Sequence, residues 1–133
     1  MTTTLAFVCV QNAGRSQMAT AFAERECDRR GLDYEILTGG THPADAVHPE
    51  VIDAMREIGI DLAGRTPREI TDDELARSDA VATMGCSTLT LPDHVESHDW
   101  ALDDPDGKSP EEVAAIRDEV ERRVVKLFDS FDE

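Results

Sequence analysis

One cysteine and one arginine, six residues apart, form the strongest chemical signal in the sequence. Cys9 ends an apolar run, Arg15 stands where a helical pattern begins, and Ser16 follows it directly. A loop of this kind can direct its backbone N–H groups at one tetrahedral oxyanion, and a guanidinium can hold two of that anion's oxygens. The same positive environment favours the thiolate of Cys9, which is the nucleophilic form of cysteine.

We therefore predict an oxyanion site in which Cys9 is the nucleophile. Ser16 is expected to donate a hydrogen bond to the sulfur, and Asn12 is expected to brace the loop through its amide. The predicted oxyanion-binding residues are Val10, Gln11, Asn12, Ala13, Gly14, Arg15 and Ser16. The alternative is a buried cysteine at a strand end with an unrelated arginine nearby. The order of strand, loop, arginine, serine and helix favours the oxyanion site.

The elements around this loop predict an α/β fold. The continuous apolar run at 5–10 is typical of a strand buried on both faces, and a helical stripe follows at 16–30. Further strands are predicted at 34–38, 80–84 and 95–99, and further helices at 49–58, 72–77 and from the Ser109 capping box onward. Residue 58 is expected to face the core.

Strands that alternate with helices predict a three-layer sandwich, in which helices flank a four-stranded parallel sheet. No linker or low-complexity segment interrupts residues 1–133, so we expect a single domain. Parallel sheets bind ligands at the carboxyl ends of their strands. Cys86 follows the third predicted strand and is therefore expected at the same edge as Cys9.

The charge balance argues against two classes of partner. The 133 residues include 13 Lys+Arg and 29 Asp+Glu, which gives a net charge of −16. Such a surface repels nucleic-acid phosphates and anionic membranes, so neither is expected as a partner. Only Lys108 and Lys126 are lysines. Dispersed acid with scarce lysine suggests a halophilic protein, and an ordinary acidic protein is the alternative.

Cysteine and histidine usage indicates a reducing compartment and no metal. Three cysteines, an odd number, make a structural disulfide framework improbable. No apolar run is long enough to span a membrane, and the N-terminus lacks the positive flank of a signal peptide. We therefore expect a cytoplasmic protein. The four histidines are not spaced with the cysteines as zinc ligands are, so we predict no bound metal or cofactor.

Residues 9–19, CVQNAGRSQMA, resemble the active-site loop shared by low-molecular-weight protein tyrosine phosphatases and thioredoxin-coupled arsenate reductases. The likeness continues through GGT at 39–41, TMGC at 83–86 and WALDDPDG at 100–107 into the final helix. The ending QMA at 17–19 is closer to the reductases, since the phosphatases usually carry proline at position 17. The resemblance spans nearly the whole chain and favours the reductase branch.

The resemblance implies that the protein reduces arsenate to arsenite. The Cys9 thiolate would form an adduct with arsenate, and Cys86 would then attack it, giving a Cys9–Cys86 disulfide and arsenite. Asp104, which precedes Pro105, matches the family's general acid and would protonate the leaving oxygen. Two alternatives stay open: Cys86 as a small buried residue, and the acidic segment as a surface turn.

Two departures from the reductase pattern concern cysteines that are missing from this sequence. Many reductases carry a further cysteine shortly after the one that matches Cys86, and it relays the disulfide to thioredoxin. Residues 87–92 contain none, so the external reductant is expected to be thioredoxin, glutaredoxin or a small thiol. Gly14 stands where both branches often have a second loop cysteine, which excludes a disulfide within the loop.

The alternative function is that of a low-molecular-weight protein tyrosine phosphatase. It would hydrolyse phosphate monoesters with Cys9, Arg15 and Asp104 through a phosphocysteine intermediate, without any need for Cys86. The phosphatases usually follow this Asp-Pro pair with tyrosines, whereas the only tyrosine here is Tyr34, on a predicted strand. A non-catalytic anion-binding domain is disfavoured, because every residue of the expected catalytic set is present.

Overall fold

The computed structural model describes residues 3–85 and 91–131. Strands and helices alternate through most of these residues, as the sequence predicts. The elements are β1 (Thr4–Cys9), α1 (Arg15–Arg30), β2 (Glu35–Gly40), α2 (Pro49–Arg56), α3 (Asp72–Ala76), β3 (Ala80–Met84), β4 (Glu96–Asp99) and α4 (Pro110–Phe131). Among the described helices, none combines the length and the apolar character that crossing a membrane requires.

The strands form one parallel sheet in the order β2-β1-β3-β4. Cys9, the last residue of β1, pairs with Gly40 of β2 and with Met84 of β3. The carboxyl ends of these three strands are therefore level, and the loops that follow them meet at one edge of the sheet. The predicted three-layer α/β fold with a four-stranded parallel sheet is confirmed.

Alternate side chains of β1 enter two different cores, as the period of two in a strand requires. Leu5, Phe7 and Cys9 pack into the larger core with side chains of α1, α2 and α4. Ala6 and Val8 pack into a smaller core on the opposite face, together with residues of α3 and its neighbouring loops. Burial on both faces explains why β1 is a continuous apolar run.

The structure corrects two expectations about where elements end. β2 continues through Gly39 and Gly40, whereas the sequence predicted a strand that ends at residue 38. A Cβ on Gly39 would lie 2.7 Å from the Cβ of Ile70, so glycine here allows the chain at Ile70 to approach the sheet. The prediction that Ile58 faces the core is wrong: α2 ends at Arg56 and the Ile58 side chain is 38% exposed. A helical period no longer applies to a residue that follows the helix.

The final helix begins with the capping box that the sequence predicts. The Glu112 N–H donates to Ser109 Oγ at 3.3 Å, and the Ser109 N–H donates to the Glu112 carboxylate at 3.2 Å. The backbone and hydroxyl hydrogen bonds of Ser109 lower the pKa of Glu112 below its ordinary value. Behind this cap, α4 buries Val113, Ile116, Val120, Val124, Leu127 and Phe128.

Replacing Ser109 by alanine tests the contribution of this cap. Ser109→Ala leaves the Glu112 N–H without its side-chain acceptor, and we expect the free energy of unfolding to fall by about 1 kcal/mol. Urea denaturation measures the change. Ser130→Ala makes the same exchange in the last turn of α4 and is expected to change stability by less than about 0.5 kcal/mol. Equal losses in the two variants would contradict a specific role for the cap.

Candidate active site

The loop between β1 and α1 turns its carbonyl oxygens away from its own interior. Four of them accept hydrogen bonds of 2.8–3.2 Å from backbone N–H groups of residues 41–48. These carbonyls belong to Cys9, Val10, Gln11 and Ala13. Because the N–H of a trans peptide points opposite to its carbonyl, the N–H groups of residues 11, 12 and 14 face the interior of the loop. The fold thereby builds a ring of backbone donors at the end of β1.

Several N–H groups of the loop and of the first turn of α1 are free to bind a ligand. Among residues 3–85 and 91–131, no acceptor receives the backbone N–H groups of Gln11, Ala13, Gly14, Arg15 or Ser16. The last two belong to the first turn of α1, where a helix always leaves N–H groups unpaired. Inward N–H groups and a helix N-terminus together favour negative charge at the centre of the loop.

Two donors converge on the sulfur of Cys9, whose residue is only 2% exposed. The Asn12 N–H donates to Cys9 Sγ at 3.1 Å, and Ser16 Oγ lies 2.8 Å from the same sulfur. Asn12 Nδ2 donates to Ser16 Oγ at 2.6 Å. Since a hydroxyl has one proton, and the Asn12 amide occupies one of its acceptor positions, that proton is available to the sulfur. The loop and the first turn of α1 therefore each direct one hydrogen bond at the sulfur of Cys9.

Asn12 holds the loop in this shape with its whole side chain. Its φ of 53° lies in the left-handed region, which asparagine tolerates better than most residues. Nδ2 also donates to Thr38 Oγ1 at 2.8 Å, while Oδ1 accepts from the Arg68 N–H at 3.0 Å and from Gln17 Nε2 at 3.1 Å. The amide therefore joins the loop to α1, to β2 and to the segment before α3.

Arg68 is itself fixed from two sides. Its guanidinium donates to the Thr38 carbonyl at 2.7 Å and to both carboxylate oxygens of Glu74 at 2.9 and 3.0 Å. Partial burial of Glu74 opposes its ionisation, but the hydrogen bonds from Arg68 and Thr71 outweigh this effect and lower its pKa. This ion pair keeps the backbone of Arg68 in place as a donor to the loop.

The Arg15 side chain reaches across the edge of the sheet and is only 11% exposed. Nη1 donates to the carbonyl of Leu102 at 3.1 Å, and Nη2 lies 3.8 Å from Asp104 Oδ2. Gly85, with a φ of 85°, lies beneath the guanidinium: a Cβ there would stand 2.7 Å from Nη1. A side chain at position 85 would therefore displace Arg15.

A cavity of about 260 Å³ opens above the loop and brings the predicted residues together. Cys9, Arg15 and Asp104 all line it, and the Asp104 side chain is 56% exposed at its rim. Asp104 Oδ1 accepts from the Asp106 N–H at 3.0 Å, which orients the carboxylate. A tetrahedral anion in this cavity meets backbone donors, one guanidinium and a sulfur atom, with a carboxyl group at the entrance.

Cys86, the fourth predicted catalytic residue, lies outside the described residues. Gly85, which precedes it, lines the cavity. Cys27 is buried in the larger core. Burial raises the pKa of its thiol, against the effect of a backbone hydrogen bond at Tyr34, and the nearby carboxylates Asp28, Glu24 and Asp33 raise it further. Cys27 is thus a neutral, unreactive thiol.

Sequence reasoning missed two residues of the cavity, Gly85 and His48. His48 Nε2 lies 3.1 Å from Gln11 Oε1, and its ring faces the carboxylates of Glu50 and Asp106, with donor atoms within 4.8 Å of one another. Three such groups could approach a cation, although a cluster of this kind does not by itself define a metal site. The only sequence signal for His48 was its place before the first proline of a helix, which reveals nothing about the cavity.

The chain belongs to the low molecular weight phosphotyrosine protein phosphatase family, whose sequence model matches residues 4–133. It is 65% identical over 133 residues to a Halobacterium salinarum protein that carries the provisional name arsenate reductase, covering 98% of this chain and 94% of that protein. It is 35% identical to arsenate reductase 2 of Staphylococcus haemolyticus, over 91% of this chain and 92% of the relative.

A solved structure extends the likeness to the fold. The thioredoxin-dependent arsenate reductase of Corynebacterium glutamicum superposes with a TM-score of 0.81 at 31% sequence identity, covering 98% of this chain. This chain spans 62% of that neighbour's length. The resemblance drawn from the loop and the later motifs is therefore confirmed, and the protein is an enzyme of the arsenate reductase and low-molecular-weight phosphatase family.

Gly14 provides the space in which Pro105 packs against the loop. A Cβ at Gly14 would lie 2.8 Å from Pro105 Cγ and 3.6 Å from Val51 Cγ2. The glycine that excludes a disulfide within the loop therefore also lets the segment carrying Asp104 close onto it.

A double-mutant cycle between these residues tests the contact. Gly14→Ala forces Pro105 to move, and we expect a loss of about 1–3 kcal/mol in the free energy of unfolding, as for other overpacked sites. In a Pro105→Ala background the ring is absent, so the same exchange is expected to cost at least about 0.5 kcal/mol less. Gly64→Ala is the matched control, because an added Cβ at Gly64 meets no atom within 4 Å. Additive effects of Gly14→Ala and Pro105→Ala would contradict the contact.

Proposed function

We propose that the protein is an arsenate reductase that works through a Cys9 thiolate–arsenate adduct and a Cys9–Cys86 disulfide. The observation that carries this proposal is the convergence of hydrogen-bond donors on Cys9 Sγ at a cavity that Arg15 and Asp104 also line. The names of the two relatives and of the structural neighbour support arsenate as the substrate.

In the first step the inward N–H groups of the loop and Arg15 bind the arsenate oxygens. The Cys9 thiolate attacks arsenic and forms a sulfur–arsenic bond, while one arsenic–oxygen bond breaks. Asp104 in its acid form protonates the departing oxygen, which leaves as water. Arg15 is suited to stabilise the charge that develops, because its guanidinium is already held at the cavity by the Leu102 carbonyl.

In the second step Cys86 attacks the sulfur of Cys9. A sulfur–sulfur bond forms and the sulfur–arsenic bond breaks, and its electron pair remains on arsenic, which passes from As(V) to As(III) and leaves as arsenite. The two thiolates supply the two electrons. Gly85, the residue that precedes Cys86 in the sequence, lines the cavity, which supports this role for Cys86.

An external thiol must then reduce the Cys9–Cys86 disulfide. The sequence carries no cysteine at 87–92 that could relay it, so we propose direct reduction by thioredoxin, by glutaredoxin or by a small thiol. Such a cycle belongs in a reducing compartment, and we place the protein in the cytoplasm. The thioredoxin-dependent neighbour supports a reductant of this class.

Phosphate ester hydrolysis is the second candidate function. The family's own description names a phosphatase, and phosphate and arsenate share shape and charge. Cys9, Arg15 and Asp104 would serve in the same roles, through a phosphocysteine intermediate that water hydrolyses. This reaction makes no use of Cys86, which separates the two candidates.

Replacement of Cys86 discriminates between the two reactions. Cys86→Ser is expected to abolish arsenite formation, because the adduct then has no second thiol to attack it, while hydrolysis of an aryl phosphate persists. Cys27→Ser makes the same exchange at the buried thiol and is expected to leave arsenate turnover within about twofold, provided that it folds. Cys9→Ser should remove both activities. Undiminished arsenite production by the Cys86→Ser variant would contradict the intramolecular disulfide.

The net charge of −16 predicts an unusual salt dependence. The surface repels a doubly charged anion, and only the local donors of the site attract it. Added salt shortens the screening length from about 10 Å at 0.1 M to about 3 Å at 1 M, which weakens the long-range repulsion more than the short contacts. We expect kcat/KM for arsenate to rise between these concentrations of KCl, consistent with a halophilic protein.

The folded state of the protein must be monitored at each salt concentration at which kcat/KM is measured. Near-UV circular dichroism at each salt concentration separates screening of the substrate from unfolding of the acidic chain at low salt. A kcat/KM that is highest at the lowest salt, with the native spectrum intact, would contradict the screening argument.

A further inference from the structure

A second cavity lies away from Cys9, between β4 and the second half of α4. Its volume is about 470 Å³, within the range of sites that hold small organic ligands. It is lined by His98, Trp100, Glu119, Arg122, Arg123, Lys126, Leu127 and Ser130. None of these residues lines the cavity above the Cys9 loop.

The residues that line this cavity are mainly basic, whereas the chain as a whole is acidic. Its wall carries three permanent cations, Arg122, Arg123 and Lys126, and a single carboxylate, Glu119. In the whole sequence, by contrast, acidic residues outnumber basic ones by 29 to 13. One of only two lysines in the chain is among the three cations. A cluster of positive charge in so acidic a protein attracts an anion locally.

The cations are only partly neutralised by the protein. Glu119 is shared, since it pairs with both Arg122 and Arg123. The Lys126 ammonium makes no hydrogen bond or ion pair with the residues that the structure describes. His98 Nε2 lies 2.6 Å from the carboxylate of Glu96, so this ring is already paired with an acidic group. The positive charge of Lys126 therefore remains available to a ligand.

Beneath the cations the cavity is apolar. Trp100 is 7% exposed and Leu127 is 6% exposed, and both are anchored in the larger core. The Trp100 ring lies 6.0 Å from that of Phe7 in the centre of the sheet, so the indole is held in a fixed position. A rigid apolar base beneath a cationic rim suits a ligand that has an apolar body and a negatively charged group.

We propose that this cavity binds a small organic anion, an aromatic or aliphatic carboxylate, phosphate or sulfonate, with its charge at Lys126 and the two arginines and its body over Trp100 and Leu127. The site is independent of the Cys9 chemistry. An inorganic oxyanion lacks the apolar body and is expected to prefer the Cys9 loop, so the two cavities select different anions.

A fluorescent organic anion tests this proposal on the full chain. The probe is 8-anilinonaphthalene-1-sulfonate, and the chain's one tryptophan, Trp100, is the energy donor because it lines the cavity. We expect one bound probe per chain, with energy transfer from Trp100. N-phenyl-1-naphthylamine has the same rings without the sulfonate and is expected to bind at least about tenfold more weakly.

Charge reversal at the two lysines supplies the matched pair of variants. Lys126→Glu is expected to weaken sulfonate binding by about tenfold, whereas Lys108→Glu makes the same change in net charge outside the cavity and is expected to alter it by less than about twofold. Inorganic phosphate at concentrations that fill the Cys9 loop should not displace the probe.

Four results would overturn the proposal. They are the absence of stoichiometric binding with a native near-UV spectrum, equal losses in Lys126→Glu and Lys108→Glu, equal affinity for the uncharged probe, and displacement of the sulfonate by phosphate. The last of these would place the probe in the Cys9 cavity instead. None of them bears on arsenate turnover, so the two proposals are tested separately.

Discussion

The candidate site depends on the outward direction of four carbonyl oxygens in the β1–α1 loop. These oxygens are held by N–H groups of residues 41–48, and that segment is placed beside the loop by the pairing of Cys9 with Gly40. A Cβ at Gly40 would lie 2.5 Å from the Val10 carbonyl oxygen, so the approach requires glycine. Once the carbonyls face outward, the peptide planes turn their N–H groups inward. The anion-binding geometry is thus a consequence of strand pairing.

Much of this arrangement follows from local sequence, because local rules govern it. A few consecutive residues are enough to predict each of three features. They are the strand buried on both faces, the loop with its arginine and serine, and the capped final helix. Parallel pairing then predicts that the ends of β1 and β3 meet, and the structure brings Asp104 to the same cavity as Cys9. The error at Ile58 arose where a helical period was extended past the end of the helix.

Contacts between distant segments could not be predicted in the same way. Glycine is needed at position 85 because the guanidinium of Arg15, seventy residues earlier, lies against it. It is needed at position 14 because the ring of Pro105, in the segment after β4, lies against it. His48 enters the cavity through a hydrogen bond to Gln11. Each of these contacts depends on how two segments distant in sequence lie relative to each other, and neither hydrophobic periodicity nor residue propensity contains that information.

The restraint of Arg15 has an entropic consequence. A free arginine side chain samples many rotamers, worth about 2 kcal/mol of conformational entropy, and a binding site must remove that freedom at some stage. Here the Leu102 carbonyl holds one end of the guanidinium, and little room remains above Gly85. The ordering is therefore complete in the folded protein before any anion arrives. An arriving anion meets a guanidinium that is already fixed in position. A larger part of the free energy of each new hydrogen bond therefore contributes to binding affinity.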